Sequence, residues 1–494
     1  MSQMTRRGFL RNIAGAAAGF RLAGSWGAKP PDAPPVPRPN VIIVFNDQLR
    51  ALELGSYGGG QNVTTPHLDQ MAQEGMRFSN AVTACPLCTP FRGMLMTGRY
   101  PTHSGLVINN LRPNVAQRCI AHVFRDAGYR AGFIGKWHLY YPRGENYIPV
   151  GPRRLGFEHW EAYNFQDVFM NTPYYRDDPT ELYMNGYEMD AEIDMALSFI
   201  AGCKASATPF ILVVAPHPPH SPRNAANTPA GYIEQVPATL WWPPNYQSGG
   251  GGLSAARYYY AMIKNADDNM GRLLQFLDDE GLSNDTIVIY TADHGDMLGS
   301  HGLSAKNYPY AESVNIPMIA RWPGHIPAGA VTDALHTPID HLPTLCGLTG
   351  LLAPDTADGV DLSSVMTGAG TVDRDAVLMA NYSSSLSGFE TGTTRPEWRA
   401  VKTKTHTYIK WLAGSEELYD NIADPYQMNN LVGEPAHAAT LDELRARLAA
   451  LLAAAHDEFL PGTAYAGWVD ANREIIRTGL GPVDSRVEVW QEMV

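Results

Sequence analysis

Residues 40–48 of this 494-residue chain read NVIIVFNDQ, an apolar run that ends in three polar residues. A short, continuous apolar run is typical of a strand that is buried on both faces of a parallel sheet. Runs of the same kind recur at residues 131–134, 210–214 and 286–290. Helical stretches lie between them, so strands and helices alternate along the chain. This alternation predicts an α/β fold, with a sheet sandwiched by helices.

Three helices are marked by capping or periodicity. The first covers residues 65–74, with Thr65 as a capping residue and Pro66 in the first helical position. The second covers residues 256–280 and the third residues 441–452, where apolar residues repeat with the helical period. In an α/β sheet, functional side chains collect at the carboxyl ends of the strands, so we expect the site there.

Composition limits the classes of function. A hydrophobic content of 45% is enough for one large domain plus a smaller one. The formal net charge of −13 argues against a nucleic-acid partner, because binding to phosphates needs clustered Lys and Arg. The cysteines are odd in number and irregularly spaced, which argues against a disulfide framework. They are Cys85, Cys88, Cys119, Cys203 and Cys346.

The N-terminus differs from the rest of the chain. Residues 5–11 read TRRGFLR and precede a stretch of small residues, AGAAAG, at 14–19. This pattern resembles a twin-arginine export signal over residues 1–30, which implies a periplasmic or secreted enzyme. The alternative is a basic amphipathic helix that stays attached. No other apolar stretch is long enough to span a bilayer, so we expect no membrane span.

Polar residues follow two of the predicted strands directly. Asp47 and Gln48 follow the first strand, and Asp293 and His294 follow the strand at residues 286–290. Two carboxylates, an amide oxygen and an imidazole in one cleft suit a divalent metal with mostly oxygen ligands. A single Asp after a strand is more often a helix cap, so the prediction rests on the combination.

The two other strand ends carry histidines. Residues 135–139 read GKWHL. On an extended segment Lys136 and His138 project to the same side, where both can reach one anionic group. The alternative is an exposed Lys beside a packed His. Residues 215–220 read APHPPH, in which His217 is a candidate general acid and His220 has no assigned role. Histidines flanked by prolines also occur as ordinary turn residues.

The candidate nucleophile lies in residues 88–101, CTPFRGMLMTGRYP. Cys88 enters a helix and Arg92 follows one turn later, an arrangement that suggests an activated nucleophile. One alternative is a buried thiol with an arginine that pairs locally. The other is a redox or metal-binding pair formed by Cys85 and Cys88, although a second Cys pair for zinc is lacking.

Taken together, these segments resemble the type I, formylglycine-dependent sulfatases of the alkaline phosphatase-like superfamily. The matching patterns are C-x-P-x-R followed by L-x-T-G-R, G-K-W-H, P-H-x-P, and G-x-x-x-K at residues 302–306. The resemblance implies a catalytic domain at residues 38–370, built on a large, mixed, mostly parallel central sheet. It also implies a C-terminal α+β subdomain at residues 371–494, with a small antiparallel sheet and a helix.

The same resemblance implies roles for single residues. A formylglycine-generating maturase would convert Cys88 to formylglycine, the nucleophile, and Arg92 would hold its hydroxyls. Lys136 and Lys306 would bind sulfate oxygens, His138 would contact a formylglycine hydroxyl, and His217 would protonate the leaving alcohol. The metal would be Ca²⁺, with Mg²⁺ or Mn²⁺ as alternatives. The implied metal ligands are Asp47, Gln48, Cys88, Asp293 and His294. Two departures from the family pattern are Gln48, in place of a second acid, and Phe91, in place of Ser.

The implied activity is hydrolysis of sulfate monoesters, with a sulfated carbohydrate preferred over another small sulfated molecule. In a hydrated aldehyde, one hydroxyl attacks sulfur and the other then collapses to the aldehyde and expels inorganic sulfate. The second reading is a phosphoester or phosphonate monoester hydrolase of the same superfamily, because a metal, lysines and a nucleophile also serve phosphoryl groups.

Overall fold

The structure is a computed structural model, and it describes residues 38–248, 252–382 and 397–483. The predicted export signal at residues 1–30 lies outside these ranges. The chain from Arg38 onward forms one structural unit. The domain boundary at residue 370 stays a prediction.

The secondary structure alternates as expected in the first three quarters of the chain. In chain order the strands are β1 (Asn40–Asn46), β2 (Met76–Ala81), β3 (Arg130–Lys136), β4 (His159–Tyr163), β5 (Pro173–Tyr174), β6 (Leu182–Tyr183), β7 (Phe210–Ala215), β8 (Thr286–Ala292), β9 (Met318–Arg321), β10 (Ala330–His336), β11 (Val377–Asn381), β12 (Trp398–Lys402), β13 (His406–Trp411), β14 (Glu416–Asp420), β15 (Arg477–Thr478) and β16 (Gly481–Pro482). The helices are α1 (Pro66–Glu74), α2 (Cys88–Thr97), α3 (Pro101–Ser104), α4 (Ile120–Asp126), α5 (Glu188–Ala205), α6 (Gly252–Asp279), α7 (Ala311–Val314), α8 (His341–Thr349), α9 (Ser363–Met366) and α10 (Ala438–Ala454).

Eight strands form the large sheet, in the order β10-β2-β9-β8-β1-β7-β3-β4. Neighbours run parallel except at β9, which is antiparallel to both β2 and β8. The four strands predicted from apolar runs are β1, β3, β7 and β8, and they lie side by side in the centre. Every side chain of β7 and β8 is buried. Since alternate side chains point to opposite faces, both faces of the sheet are covered. The predicted large, mixed, mostly parallel sheet is confirmed.

Helix α1 begins at Pro66 as predicted, but Thr65 does not cap it with its side chain. The Thr65 hydroxyl instead accepts a hydrogen bond from the Gly55 amide at 2.9 Å. The Leu68 amide, in the first turn of α1, donates to Asp267 Oδ1 on α6 at 2.8 Å. The Asp267 carboxylate, on a helix distant in the chain, therefore accepts the hydrogen bond that a local capping residue was expected to accept.

The C-terminal part contains a four-stranded antiparallel sheet in the order β11-β12-β13-β14. One face packs on α10, where Leu441, Leu444 and Leu448 cover Val401 and Leu418. The other face forms a second apolar cluster with residues that precede it in the chain, among them Val82 and Val314. The predicted pairing of a small antiparallel sheet with a helix is confirmed.

All five cysteines are free and buried. Within the described ranges, no helix combines the length and the apolar content that a membrane crossing requires.

Candidate active site

The carboxyl ends of the central strands bring the predicted groups together. Strands β1 and β8 pair in parallel with Asn46 opposite Ala292, so the residues that follow each strand meet. The backbone amide of Gln48 donates to Asp293 Oδ1 at 2.9 Å. The Asp47 amide donates to the Pro216 carbonyl at 3.1 Å, which joins the end of β1 to the end of β7.

Cys88 is the first residue of α2, and the other side chains of the site approach its sulfur. Its Sγ lies 3.5 Å from His294 Nε2 and 3.8 Å from Asp47 Oδ1. Two lysine nitrogens approach the same sulfur, Lys306 Nζ at 3.5 Å and Lys136 Nζ at 3.9 Å. Cys88 is 1% exposed. The structure thus brings to Cys88 a residue that lies 218 positions away in the chain.

The Asp47 carboxylate is surrounded by positively charged side chains. Its Oδ2 lies 2.5 Å from Lys136 Nζ and 3.3 Å from Arg92 Nη2. Lys306 Nζ is 4.0 Å from Oδ1. Burial alone would raise the pKa of Asp47, but the neighbouring positive charges, Lys136 the strongest, outweigh burial and hold this pKa well below its usual range. Asp47 is therefore ionised.

A group of candidate metal ligands surrounds the thiol. One ligand atom from each of four residues lies within 4.8 Å of the others; the residues are Asp47, Cys88, Asp293 and His294. Asp293 Oδ2 is buried and accepts no hydrogen bond from any described residue. Burial, and next the negative charge of Asp47, raise the pKa of Asp293. His294 Nε2 lies 3.4 Å from Asp293 Oδ2. Two buried carboxylates side by side, one with an oxygen that accepts no hydrogen bond, fit a bound cation.

Gln48, the predicted amide ligand, lies beside this group. Its Oε1 accepts a hydrogen bond from Lys306 Nζ at 3.0 Å, and its Nε2 donates to Asp296 Oδ2. Its backbone is left-handed, with φ of 69°, which turns the chain sharply after Asp47. Asp296 also pairs with Arg223 at 2.7 Å. Asp296 was not predicted from the sequence, although it lies three residues after Asp293 in the same DHGD segment.

His138 reaches the site by a route that differs from the expectation. Strand β3 ends at Lys136, and His138 has a left-handed backbone with φ of 51°. The two residues are therefore not alternate positions of one extended segment. One ring nitrogen of His138, Nε2, lies 3.0 Å from Asn110 Oδ1, while Nδ1 is buried and has no hydrogen-bond partner among the described residues. No sequence signal marked Asn110 as the residue that orients this ring.

The packing of Phe91 and Arg92 explains how helix α2 accommodates Phe at position 91, where the family pattern has Ser. The Phe91 ring packs on Phe45 of β1, with centroids 5.2 Å apart. The Arg92 guanidinium lies over the same Phe45 ring at 4.9 Å and donates to the Lys136 carbonyl. Phe91 thus fills the core beneath the site, and Arg92 remains next to Asp47.

His217 is fully buried at the end of β7. Its ring lies 5.2 Å from Phe165 and 5.0 Å from Phe169. Within the described part of the chain, neither ring nitrogen has a hydrogen-bond partner. Burial, and next the charge of Lys136, hold the pKa of His217 well below its ordinary value, so the imidazole is neutral in this state. Its backbone amide donates to Glu188 Oε1 at 3.0 Å, a contact that no sequence signal indicated.

The alternative of a reactive cysteine pair finds no support in Cys85. Its thiol is fully buried, and burial raises its pKa. A thiol of raised pKa is a poor nucleophile and a poor metal ligand.

Comparisons with known proteins identify the family. A sequence model of the family described as Sulfatase matches residues 39–351, and one described as N-sulphoglucosamine sulphohydrolase, C-terminal, matches residues 299–454. The chain is 36% identical over 431 residues to the ulvan-active sulfatase of Formosa agariphila, covering 85% of this chain and 82% of that protein. It is 30% identical over 475 residues to the endo-4-O-sulfatase of Bacteroides thetaiotaomicron, covering 84% and 92%.

A solved structure shows the same likeness in three dimensions. It comes from work on the metabolism of multiple glycosaminoglycans by Bacteroides thetaiotaomicron. Its TM-score against this chain is 0.77 at 28% sequence identity, covering 85% of this chain and 97% of its own. With a family match over more than half of its length and a relative of 36% identity, this chain belongs to the sulfatase family and is a sulfuric ester hydrolase.

Proposed function

We propose that this sulfatase hydrolyses sulfate monoesters of a carbohydrate, with a formylglycine made from Cys88 as nucleophile and Ca²⁺ as the metal. The observation that carries the proposal is the surroundings of Cys88 Sγ. Two lysine nitrogens, a carboxylate and an imidazole lie within 3.5–3.9 Å of it. This is a pocket for a small tetrahedral anion with a nucleophile at its base.

The metal ligands would be Asp47, Gln48, Asp293, His294 and the group made from Cys88. The donor set is mostly oxygen, which favours Ca²⁺, with Mg²⁺ or Mn²⁺ as alternatives. When bound, the cation would stabilise negative charge on the sulfate oxygens. The observation in favour of such an ion is the buried Asp293 Oδ2, which accepts no hydrogen bond from any described residue.

The chain's own cations serve the transferred group. Lys136 and Lys306 approach the nucleophile from within 4 Å, so their ammonium groups can donate to sulfate oxygens throughout the reaction. Arg92 and His138 would hold the formylglycine hydroxyls, which supply the attacking oxygen and later allow sulfate to leave by C–O cleavage.

His217 would protonate the leaving alcohol. In the free site its imidazole is neutral, since burial and Lys136 lower its pKa. An incoming sulfate anion partly offsets the positive charge of the lysines and favours the protonated imidazole. The acid would therefore be ready when the ester is bound.

Maturation of Cys88 would precede folding. Its side chain is 1% exposed and lies beneath two lysines, out of reach of a second enzyme. Formylglycine would thus be installed by the maturase before the twin-arginine pathway exports the folded protein to the periplasm or the medium.

A carbohydrate is the proposed substrate because relatives are named for carbohydrate sulfates, among them the ulvan-active sulfatase and an N-acetylglucosamine-6-O-sulfatase of Bacteroides thetaiotaomicron. The phosphoester and phosphonate reading has weaker support, although the charges of the site would accept a phosphoryl group. A phosphonate monoester hydrolase of Agrobacterium radiobacter has the same fold, with a TM-score of 0.67, but at 22% sequence identity.

The first experiment is peptide mass spectrometry over residues 78–92 of protein purified from its own cells. An aldehyde at Cys88 is expected, together with sulfate release from sulfated oligosaccharides by the same preparation. The matching phosphate monoesters and phosphonate esters form the control panel. An intact thiol in active protein, or faster turnover of the phosphorus esters, would overturn the proposal.

A further inference from the structure

The ring of Phe165 contacts two cations. Lys136 Nζ is 4.6 Å from its centroid, and the guanidinium carbon of Arg143 is 3.7 Å from it. Phe165 itself is 8% exposed, so the ring is a fixed support. The two charges are therefore no more than about 8.3 Å apart. One of them belongs to the proposed sulfate site, and the other contacts the same aromatic ring.

Arg143 stands on the side of the leaving group. The same Phe165 ring contacts His217, with centroids 5.2 Å apart. Asp167, whose Oδ2 pairs with Arg143 Nη2 at 3.4 Å, has a carboxylate oxygen within 4.8 Å of ring nitrogens of His217 and His220. Because His217 is the proposed acid, the sugar that carries the ester oxygen would lie next to Phe165, Asp167 and Arg143.

The guanidinium is held in place but retains capacity to bind. The Arg143 carbonyl accepts from Asn164 Nδ2 at 3.2 Å, which anchors the backbone. Its side chain and that of Asp167 are 52% and 50% exposed, and one long contact joins them. An exposed pair of this kind contributes little to stability. A guanidinium carries five N–H donors in a planar fork that matches a carboxylate or a sulfate.

We propose that Arg143, supported by Phe165 and oriented by Asp167, forms a subsite for a second anionic group on the leaving-group side of the ester. This inference rests on the proposed function. The ligand is a sulfated saccharide that bears either a carboxylate, as in a uronic acid, or a second sulfate, at a distance that one substituted sugar ring can bridge. The enzyme then prefers polyanionic saccharides to neutral monosulfated ones, in spite of its negative net charge.

The test compares Arg143→Gln with the wild-type enzyme on four probes. These are a monosulfated disaccharide with a uronate, its twin with the carboxylate reduced to the alcohol, a disulfated neutral disaccharide, and 4-nitrophenyl sulfate. The variant is expected to lose about 10- to 100-fold in kcat/KM, mostly through KM, on a probe with the second anion. It should stay within about twofold of wild type on the reduced twin and on the aryl sulfate. The uronate and disulfate arms show which anion is bound.

A matched control is Arg272→Gln, which removes an arginine from a surface pair with Asp194 on α6 and α5 and should leave all four probes unchanged. Equal losses of Arg143→Gln on every probe, or none on either anionic probe, would overturn the inference. Titration calorimetry with the desulfated uronate disaccharide provides a readout without turnover, in which the variant should bind at least tenfold more weakly than the wild type. Wild-type protein that binds this product but releases no sulfate would contradict the proposed function and not the subsite.

Discussion

Lys136 Nζ and Asp47 Oδ2 form an ion pair of 2.5 Å in which both side chains are fully buried. The pair joins the end of β3 to the end of β1, two strands that are separated in the sheet by β7. Removal of one partner of a buried pair leaves an uncompensated charge, which costs about 3–5 kcal/mol.

Replacement of Lys136 should therefore lower both stability and activity. We expect Lys136→Ala to reduce the free energy of unfolding by about 3 kcal/mol. This is the low end of the range for a buried pair, because Arg92 still faces Asp47. Urea unfolding of the metal-free protein measures this. Lys204→Ala breaks an exposed pair with Glu280 and should cost less than about 1 kcal/mol. Equal costs for the two variants would mean that Asp47 does not depend on Lys136.

Loss of the proposed nucleophile should abolish turnover and leave the fold intact. Cys88→Ala is expected to reduce kcat by at least roughly 10³-fold, because the two lysines and the candidate metal ligands converge on the Cys88 sulfur. Sulfate release and circular dichroism measure the two effects. Cys203→Ala, which alters a free cysteine on α5, serves as the control and should keep its activity. Turnover retained in Cys88→Ala would place the nucleophile elsewhere.

Esters with different leaving groups can distinguish a role of His217 as the acid from a role in sulfate binding. His217→Gln should slow release of a sugar alcohol by about 10²–10⁴-fold and slow release of a nitrophenol far less, because nitrophenolate leaves without a proton. The measurement is kcat/KM on both esters. His67→Gln, which alters a half-exposed histidine near Asp268, should change neither. A uniform loss on both esters would assign His217 to binding instead.

A metal dependence follows from the two neighbouring carboxylates. Treatment with EDTA should remove activity, and Ca²⁺ should restore it. Asp293→Asn should weaken the stabilisation by Ca²⁺, yet melt no lower than wild type in EDTA, because the substitution relieves repulsion from Asp47. Thermal melts with and without Ca²⁺ provide the test, with Asp285→Asn as the control. A lower melting temperature in EDTA for Asp293→Asn alone would contradict this account.

Asp267 should make stability depend on pH. Burial raises the pKa of this carboxyl from 3.8 to about 6. The folded state then binds the proton more tightly than the unfolded state, so the contribution of Asp267 is largest below pH 4 and falls as the pH rises to about 6. The total change is about 3 kcal/mol.

The matched pair for this test is Asp267→Asn and Asp267→Ala. The asparagine keeps an acceptor for the Leu68 amide and should flatten the pH dependence of unfolding between pH 4 and 6. The alanine should cost about 1–3 kcal/mol at pH 4, because it leaves a buried donor unsatisfied. Identical pH curves for the wild type and the asparagine variant would place the titration elsewhere.

The fold was predictable where local pattern and burial agree. The apolar runs became β1, β3, β7 and β8 because these strands are buried on both faces. Strand β10, by contrast, alternates between exposed and half-buried residues over most of its length, and β9 has four residues. Neither contains an apolar run as long as those of the four central strands, so neither was predicted.

The candidate site was predictable as a set of residues and not as a set of contacts. Cys88, Arg92, Lys136 and Lys306 stand in short motifs that can be read from the chain. Their partners, such as Asn110 for His138 and Glu188 for His217, carry no local signal, because those contacts depend on how distant segments fold against each other.

The sequence by itself determined the alternation of elements, the chemical groups at the strand ends and the resemblance to sulfatases, since each of these depends on neighbours along the chain. Tertiary structure alone decided which groups touch, which protonation states they hold and where Arg143 stands relative to Lys136. The physical reason is that strand pairing and helix packing set the distances between remote charges. Burial then removes water from those charges, so that each one responds to the others.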